Sequence, residues 1–220
     1  MFDEQVTPLV IAIDGPAGAG KSSVARALAS ELGFTYLDSG AMYRSVAFTC
    51  LDWGADPTKP GEATSTAESI EIDFDGDEVL IDGVDVTDDL RTPEVTEASS
   101  QVSVHPGVRE AMVTEQRRLI SEGNYVAEGR DIGTVVSPDS PLKIFLTASD
   151  QVRAERRAEQ TGGDVREILI SQMERDRRDT EREHGALKAA DDAVEIDTTG
   201  LTLEEVVAKI AELARQRDLT

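Results

Sequence analysis

The chain has 220 residues, 44 of them acidic and 22 basic, for a net charge of −22 with histidine neutral. A surface this acidic repels nucleic acid and anionic membrane, and no apolar run reaches membrane-spanning length. The single cysteine, Cys50, excludes an internal disulfide framework and reads as a small core residue on a helix. The length suits one α/β domain with a small insert. The N-terminus, MFDEQVTPL, is acidic and too short in its apolar part for a signal peptide. A cytoplasmic monomer is the expectation.

In chain order, Leu9–Ile13 is an apolar, β-branched run that suits a buried strand. It leads into Gly15, Pro16, Ala17, Gly18, Ala19, Gly20, Lys21, Ser22 and Ser23, which carry the pattern G-x-x-x-x-G-K-S. Glycines there let the backbone approach an anion, and successive N–H groups converge on it at the positive end of the next helix. Lys21 would reach the β- and γ-phosphates of a nucleoside triphosphate, and the Ser22 hydroxyl would ligate Mg2+. Val24, Leu28 and Leu32 give that helix its buried face, and Gly33 caps its end.

A short strand at Thr35–Leu37 precedes LDSGAMYR, so Asp38, Ser39 and Gly40 fall at the carboxyl end of the sheet, the edge where open α/β sheets bind ligands. Ser39 would cap the following helix or touch ligand, and Arg44 would reach an anion. Between Ile70 and Asp89, apolar residues alternate with acidic ones around Asp75-Gly76 and Asp82-Gly83. This predicts a small antiparallel sheet with one wet face. The aspartates lack calcium-loop spacing. Pro93 and Pro106 open two helices, and Gly123 would cap the second.

Further strands are expected at Tyr125–Ala127, Leu142–Leu146 and Val194–Ile196. AEGRDIGTVV follows the first of these, with Arg130 and Asp131 paired to each other or turned to a ligand. The arginine-rich helix QVRAERRAEQTGG ends in Gly162-Gly163, as a lid over triphosphate would. Arg153 reads equally as surface charge. Arg117, Arg118, Arg166 and Arg177 read as members of exposed ion pairs. Arg175, Asp179 and Arg182 share a helix face, as an ion-pair ladder or as an acceptor-site lining. The last helix starts after Thr202, with Glu205 completing a capping box. His105 and His184 read as non-catalytic.

Together, IAIDGPAGAGKSS, LDSGAMYR, ASSQVS, VREA, EGRDIGTVV, IFLTAS and ERDRRD resemble the bacterial cytidylate kinases, P-loop kinases that phosphorylate CMP and dCMP. The resemblance runs over nearly the whole chain in the expected order. It implies an α/β P-loop fold: a five-stranded parallel sheet flanked by helices, residues 1–57 and 92–220, with a lid about 153–166. The β-rich insert, 58–91, would be the nucleoside-monophosphate subdomain. It implies that Gly15–Ser22 hold ATP with Mg2+, and that Ser39, Arg44 and Arg130 hold the acceptor and its phosphate. Ser100, Arg109 and Asp131 would read cytosine: the carboxylate accepts from the exocyclic amine and the other two donate. Asp179 would contact ribose, aided by Arg175 and Arg182, and Arg157 would cover the transferred phosphoryl. Lys21, Arg130 and Arg157 are the expected catalytic residues. Glu128 departs from the aspartate the family often carries, a change expected to be tolerated. A kinase for UMP, AMP or shikimate, and a nucleotide-dependent switch, are the competing readings.

Overall fold

The computed structural model describes residues 8–219; residues 1–7 of the N-terminal stretch discussed above lie outside them. The elements run β1 (Val10–Asp14), α1 (Lys21–Leu32), β2 (Thr35–Asp38), α2 (Ser39–Trp53), α3 (Pro60–Ser69), β3 (Ile72–Asp75), β4 (Glu78–Ile81), β5 (Val84–Asp85), α4 (Pro93–Val102) and α5 (Pro106–Ile120). They continue as β6 (Tyr125–Gly129), a π-type turn (Ile132–Val136), β7 (Leu142–Thr147), α6 (Asp150–Thr161), α7 (Val165–Glu181), β8 (Val194–Asp197) and α8 (Leu203–Arg215).

Two compact units divide the chain. The first takes the described residues up to Leu37 and from Arg117 onward; the second is Asp38–Gln116. The first carries the five-stranded parallel sheet, ordered β2-β6-β1-β7-β8. All five residues of β1 are buried, as a central parallel strand covered on both faces requires. Ile11, Ile13, Val126, Ile144, Leu146 and Ile196 meet Leu28 of α1 and Ile210 of α8 in one core. Leu32 packs at its margin, partly buried. Gly33 closes α1 in a left-handed conformation, φ 69°, its N–H bonded to the Ala29 carbonyl. Thr202 and Glu205 form the expected capping box on α8.

The second unit holds the antiparallel sheet β3-β4-β5. Ile72, Val79 and Ile81 are buried and Asp75 and Glu78 exposed, as the alternation predicts, while Asp73 and Phe74 are both half-buried. Val84 differs: it stands exposed beside the Asp82-Gly83 turn, whose two residues both have positive φ (51° and 77°), and β5 is too short to bury it. Cys50 is buried within α2. Pro60 and Pro93 occupy first-turn positions. Gly123 does not cap α5. The helix ends at Ile120, Ser121 N–H returns to the Arg117 and Arg118 carbonyls, and Gly123 is not among the positive-φ glycines.

Candidate active site

The carboxyl edge of the first unit's sheet gathers its chemistry. β1 ends at Asp14, and the loop Gly15–Gly20 turns into α1. Two glycines are sterically obligatory. A Cβ on Gly15 would run into the Leu146 carbonyl of β7, and one on Gly18 would lie 2.9 Å from the Arg153 carbonyl. Lys21 is buried and donates to the Pro16 carbonyl at 3.0 Å, with Glu128 Oε2 4.0 Å away. Burial, then the charge of Arg130, push its pKa down to about 7. The nearby Glu128 and Asp14 carboxylates offset this in part. Ser22 donates its hydroxyl to Glu128 Oε1, which also accepts from Tyr36 at 3.1 Å. The Arg26 guanidinium lies 4.6 Å from the Tyr36 ring centre.

The residues after β6 form a second loop on the same edge. Arg130 donates through Nε to Asp179 Oδ2 at 2.8 Å and through Nη1 to the Gly15 carbonyl at 3.1 Å. The partner of Arg130 in this ion pair is therefore Asp179, on α7, rather than the adjacent Asp131. Arg182, just past the end of α7, stands 3.6 Å from Asp179 Oδ1. Burial opposes ionisation of Asp179, but Arg130 and Arg182 outweigh it and hold the carboxyl below its ordinary range. Burial likewise disfavours the Arg130 cation, and Asp179 reverses this, raising its pKa. Arg175 adds positive charge on both Asp179 and Lys21. Asp131 is buried beside this cluster.

Helix α6 bears on the Gly15–Gly20 loop directly. Arg153 is buried; it donates through Nη1 to the Ala17 carbonyl at 2.8 Å and to Asp176, and through Nη2 to Asp150. The reading of Arg153 as surface charge is thereby corrected: it ties α6, α7 and the loop together. Gln172 of α7 donates to the Arg153 carbonyl at 3.4 Å. Arg156 donates to Thr198 Oγ1 and its carbonyl. Arg157 lies exposed on α6. Arg118 and Arg177 pair with Glu122 and Glu181 as expected of surface charges. Arg117 departs from that expectation, donating to the Val135 and Val136 carbonyls at 2.7 and 3.1 Å.

The second unit carries the other predicted residues. Asp38 caps α2 by accepting from Ala41 N–H, so Ser39, buried in the first turn, is not the cap. Arg44 donates to Asp38 Oδ2 at 2.9 Å, in the space left by Gly40. Ser100 lies half-buried on α4, its hydroxyl 3.5 Å from the Thr96 carbonyl. Arg109 is buried on α5, 3.5 Å from the Ser103 carbonyl and 5.7 Å from the centre of the Tyr43 ring. His105 is buried against the Pro57 carbonyl, a structural role. Among the described residues, no group of three or more His, Cys, Asp or Glu is placed to hold a metal ion.

Residues 11–216 match the family model described as cytidylate kinase. This chain belongs to the cytidylate kinase family. It is 46% identical over 218 residues to a cytidylate kinase from Bacillus velezensis, covering 95% of this chain and 97% of that one. It is 44% identical over 218 residues to a cytidylate kinase from Mycobacterium leprae, covering 96% and 98%. Among solved structures, a gluconokinase from Sinorhizobium meliloti shares the fold at 20% identity and a TM-score of 0.51, covering 96% of this chain and 95% of that one. Glu128 sits within the stretch matched to the family, its Oε1 shared by the Ser22 and Tyr36 hydroxyls. Three residues of the site escaped the sequence reading: Asp14, Tyr36 and Asp176. For Asp14 a signal was present, a charged residue closing an otherwise apolar strand.

Proposed function

We propose that the protein transfers the γ-phosphoryl group of ATP to CMP or dCMP, giving ADP and the cytidine diphosphate. Alongside family membership, the observation that carries this is the buried Arg130–Asp179–Arg182 cluster, which shares the sheet edge with the donor loop through the Arg130 bond to Gly15. A triphosphate hydrolase would need no such second cationic site. Gly15–Ser23 take the triphosphate, the loop N–H groups and Lys21 neutralising its charge. Ser39, Arg44 and Arg130 take the acceptor and its phosphate, and Arg175 and Arg182 aid Asp179 at the ribose. Asp131 accepts from the cytosine amine, Arg109 and Ser100 donate to the base, and Asp179 serves the ribose. Arg157 covers the transferred phosphoryl from the lid.

The donor set fits Mg2+: the Ser22 hydroxyl and Glu128 carboxylate are hard oxygens, and Mg2+ binds to one or two such groups together with substrate phosphates. When bound, the ion would neutralise charge on the triphosphate. The acceptor phosphate is already an oxyanion near neutral pH, so no general base is required. The chain's own contribution is alignment and charge neutralisation by Lys21 and the arginines.

Substituting Asp131 or Arg109 by alanine tests the base assignment. Each should raise KM for CMP about a hundredfold, because a buried polar partner is left unpaired, while KM for ATP stays within about threefold, well short of the 1.4 kcal/mol that a tenfold change represents. Equal losses for both substrates would overturn the assignment.

A further inference from the structure

Asp14 is the last residue of β1, immediately before the donor loop, and it is buried at 5% exposure. Its two carboxylate oxygens are both engaged by the loop after β6: Oδ1 accepts from Ile132 N–H at 2.8 Å and Oδ2 from Gly133 N–H at 2.7 Å. These two N–H groups open the π-type turn Ile132–Val136 and are the donors a helical start leaves without intrahelical partners. The turn's other end is held by Arg117 through the Val135 and Val136 carbonyls. Gly133 is fitted to the contact, since a Cβ there would lie 3.3 Å from Asp14 Oδ2 and from the Lys143 stem. Arg130 adds a third tie through the Gly15 carbonyl.

We propose that Asp14 is a positioning residue for phosphoryl transfer, setting Arg130 and Asp131 against the donor loop without touching either nucleotide. The proposal rests on the CMP-kinase reading for the roles of those two residues. The physical reason is geometric. A carboxylate presents two acceptors on one rigid group, and adjacent backbone N–H groups match it. An asparagine presents one acceptor and one donor, so one N–H of the pair loses its partner and the turn must shift. Transfer tolerates little misplacement of the reacting phosphates.

The test compares wild type with Asp14→Asn and, from the loop's side, Gly133→Ala. Three quantities are read: KM and kcat with CMP, affinity for ATP by equilibrium binding, and amide hydrogen exchange of residues 130–136 without substrate. Both variants should raise KM for CMP and lower kcat, each by about tenfold or more, for one lost buried hydrogen bond. Exchange of 130–136 should rise, and ATP affinity should stay within about threefold of wild type, below the tenfold step of 1.4 kcal/mol. Losses of ATP and CMP affinity in equal proportion would reduce Asp14 to a general fold contact and overturn the proposal; so would unchanged CMP kinetics. Should wild type ignore CMP, the acceptor reading falls by itself, and the exchange of 130–136 still upholds or overturns the hold of Asp14 on the loop.

Discussion

Replacing Asp179 by asparagine probes the charge balance of the proposed acceptor site. The carboxylate sits 2.8 Å from Arg130 and 3.6 Å from Arg182, with side-chain exposures of 11% for Asp179, 18% for Arg130 and 7% for Arg182. Asparagine keeps the shape and one acceptor but removes the charge, leaving Arg130, Arg175 and Arg182 to repel one another. Breaking a buried pair from one side costs about 3–5 kcal/mol. Retention of one hydrogen bond brings the expected loss to about 2–3 kcal/mol, or about 5–10 °C in Tm for a chain of this size. The pH dependence has a definite sign. The folded carboxyl titrates below its ordinary 3.8, so its contribution is present above that value and is lost as pH falls through the folded pKa. Thermal and urea unfolding across a pH series should therefore give a gap between wild type and Asp179→Asn that is full at pH ~7 and closes below pH ~4. Inorganic phosphate should stabilise the variant more than wild type, by supplying the missing negative charge. A variant within about 0.5 kcal/mol of wild type at neutral pH, or a gap that persists in acid, would show that the Asp179 charge does not stabilise the arginine cluster.

Asp14 gives the opposite slope. Burial raises its pKa from 3.8 to about 6, so its contribution is fully present below about 3.8 and is lost as pH rises through about 6. At 1.36 kcal/mol per unit the span is about 3 kcal/mol, and the Asp14→Asn stability profile should be flatter between those two pH values. Gly18→Ala places a Cβ 2.9 Å from the Arg153 carbonyl at φ +77°; ATP affinity, read by equilibrium binding, should fall by about tenfold or more, with smaller changes for CMP. Arg153→Met strips the tie between α6, α7 and the Ala17 carbonyl but leaves Asp176 near the loop. Its cost should appear as faster hydrogen exchange in the donor loop and a Tm lowered by about 5 °C or more, from one buried partner removed.

The donor loop was legible because its chemistry is local: strand, glycines, lysine and helix follow one another within a short span, and each demands the next. The five parallel strands were legible from apolar runs separated by helical patterns, and the Asp82-Gly83 turn from its dipeptide. What escaped was set by partners distant in the chain. Arg130 reads as the neighbour of Asp131, and its pairing with Asp179, 49 residues on, becomes visible once α7 is placed. Arg153 carries the same helical pattern as its exposed neighbours, and its burial depends on the Ala17 carbonyl, 136 positions away. Ser39 is the residue type expected at a helix cap, but the strand extends one residue and hands that role to Asp38. The hold of Asp14 on Ile132 and Gly133 spans 118 and 119 residues and leaves no periodic trace.

An ATP-dependent kinase with the proposed second site selects cytidine monophosphates. The most direct measurement is coupled ADP release with ATP and Mg2+, comparing CMP, dCMP, UMP, AMP, shikimate and no acceptor. Such selection gives strong turnover with CMP and dCMP and little with the others. Turnover with a different acceptor, or ADP release that needs none, would contradict it.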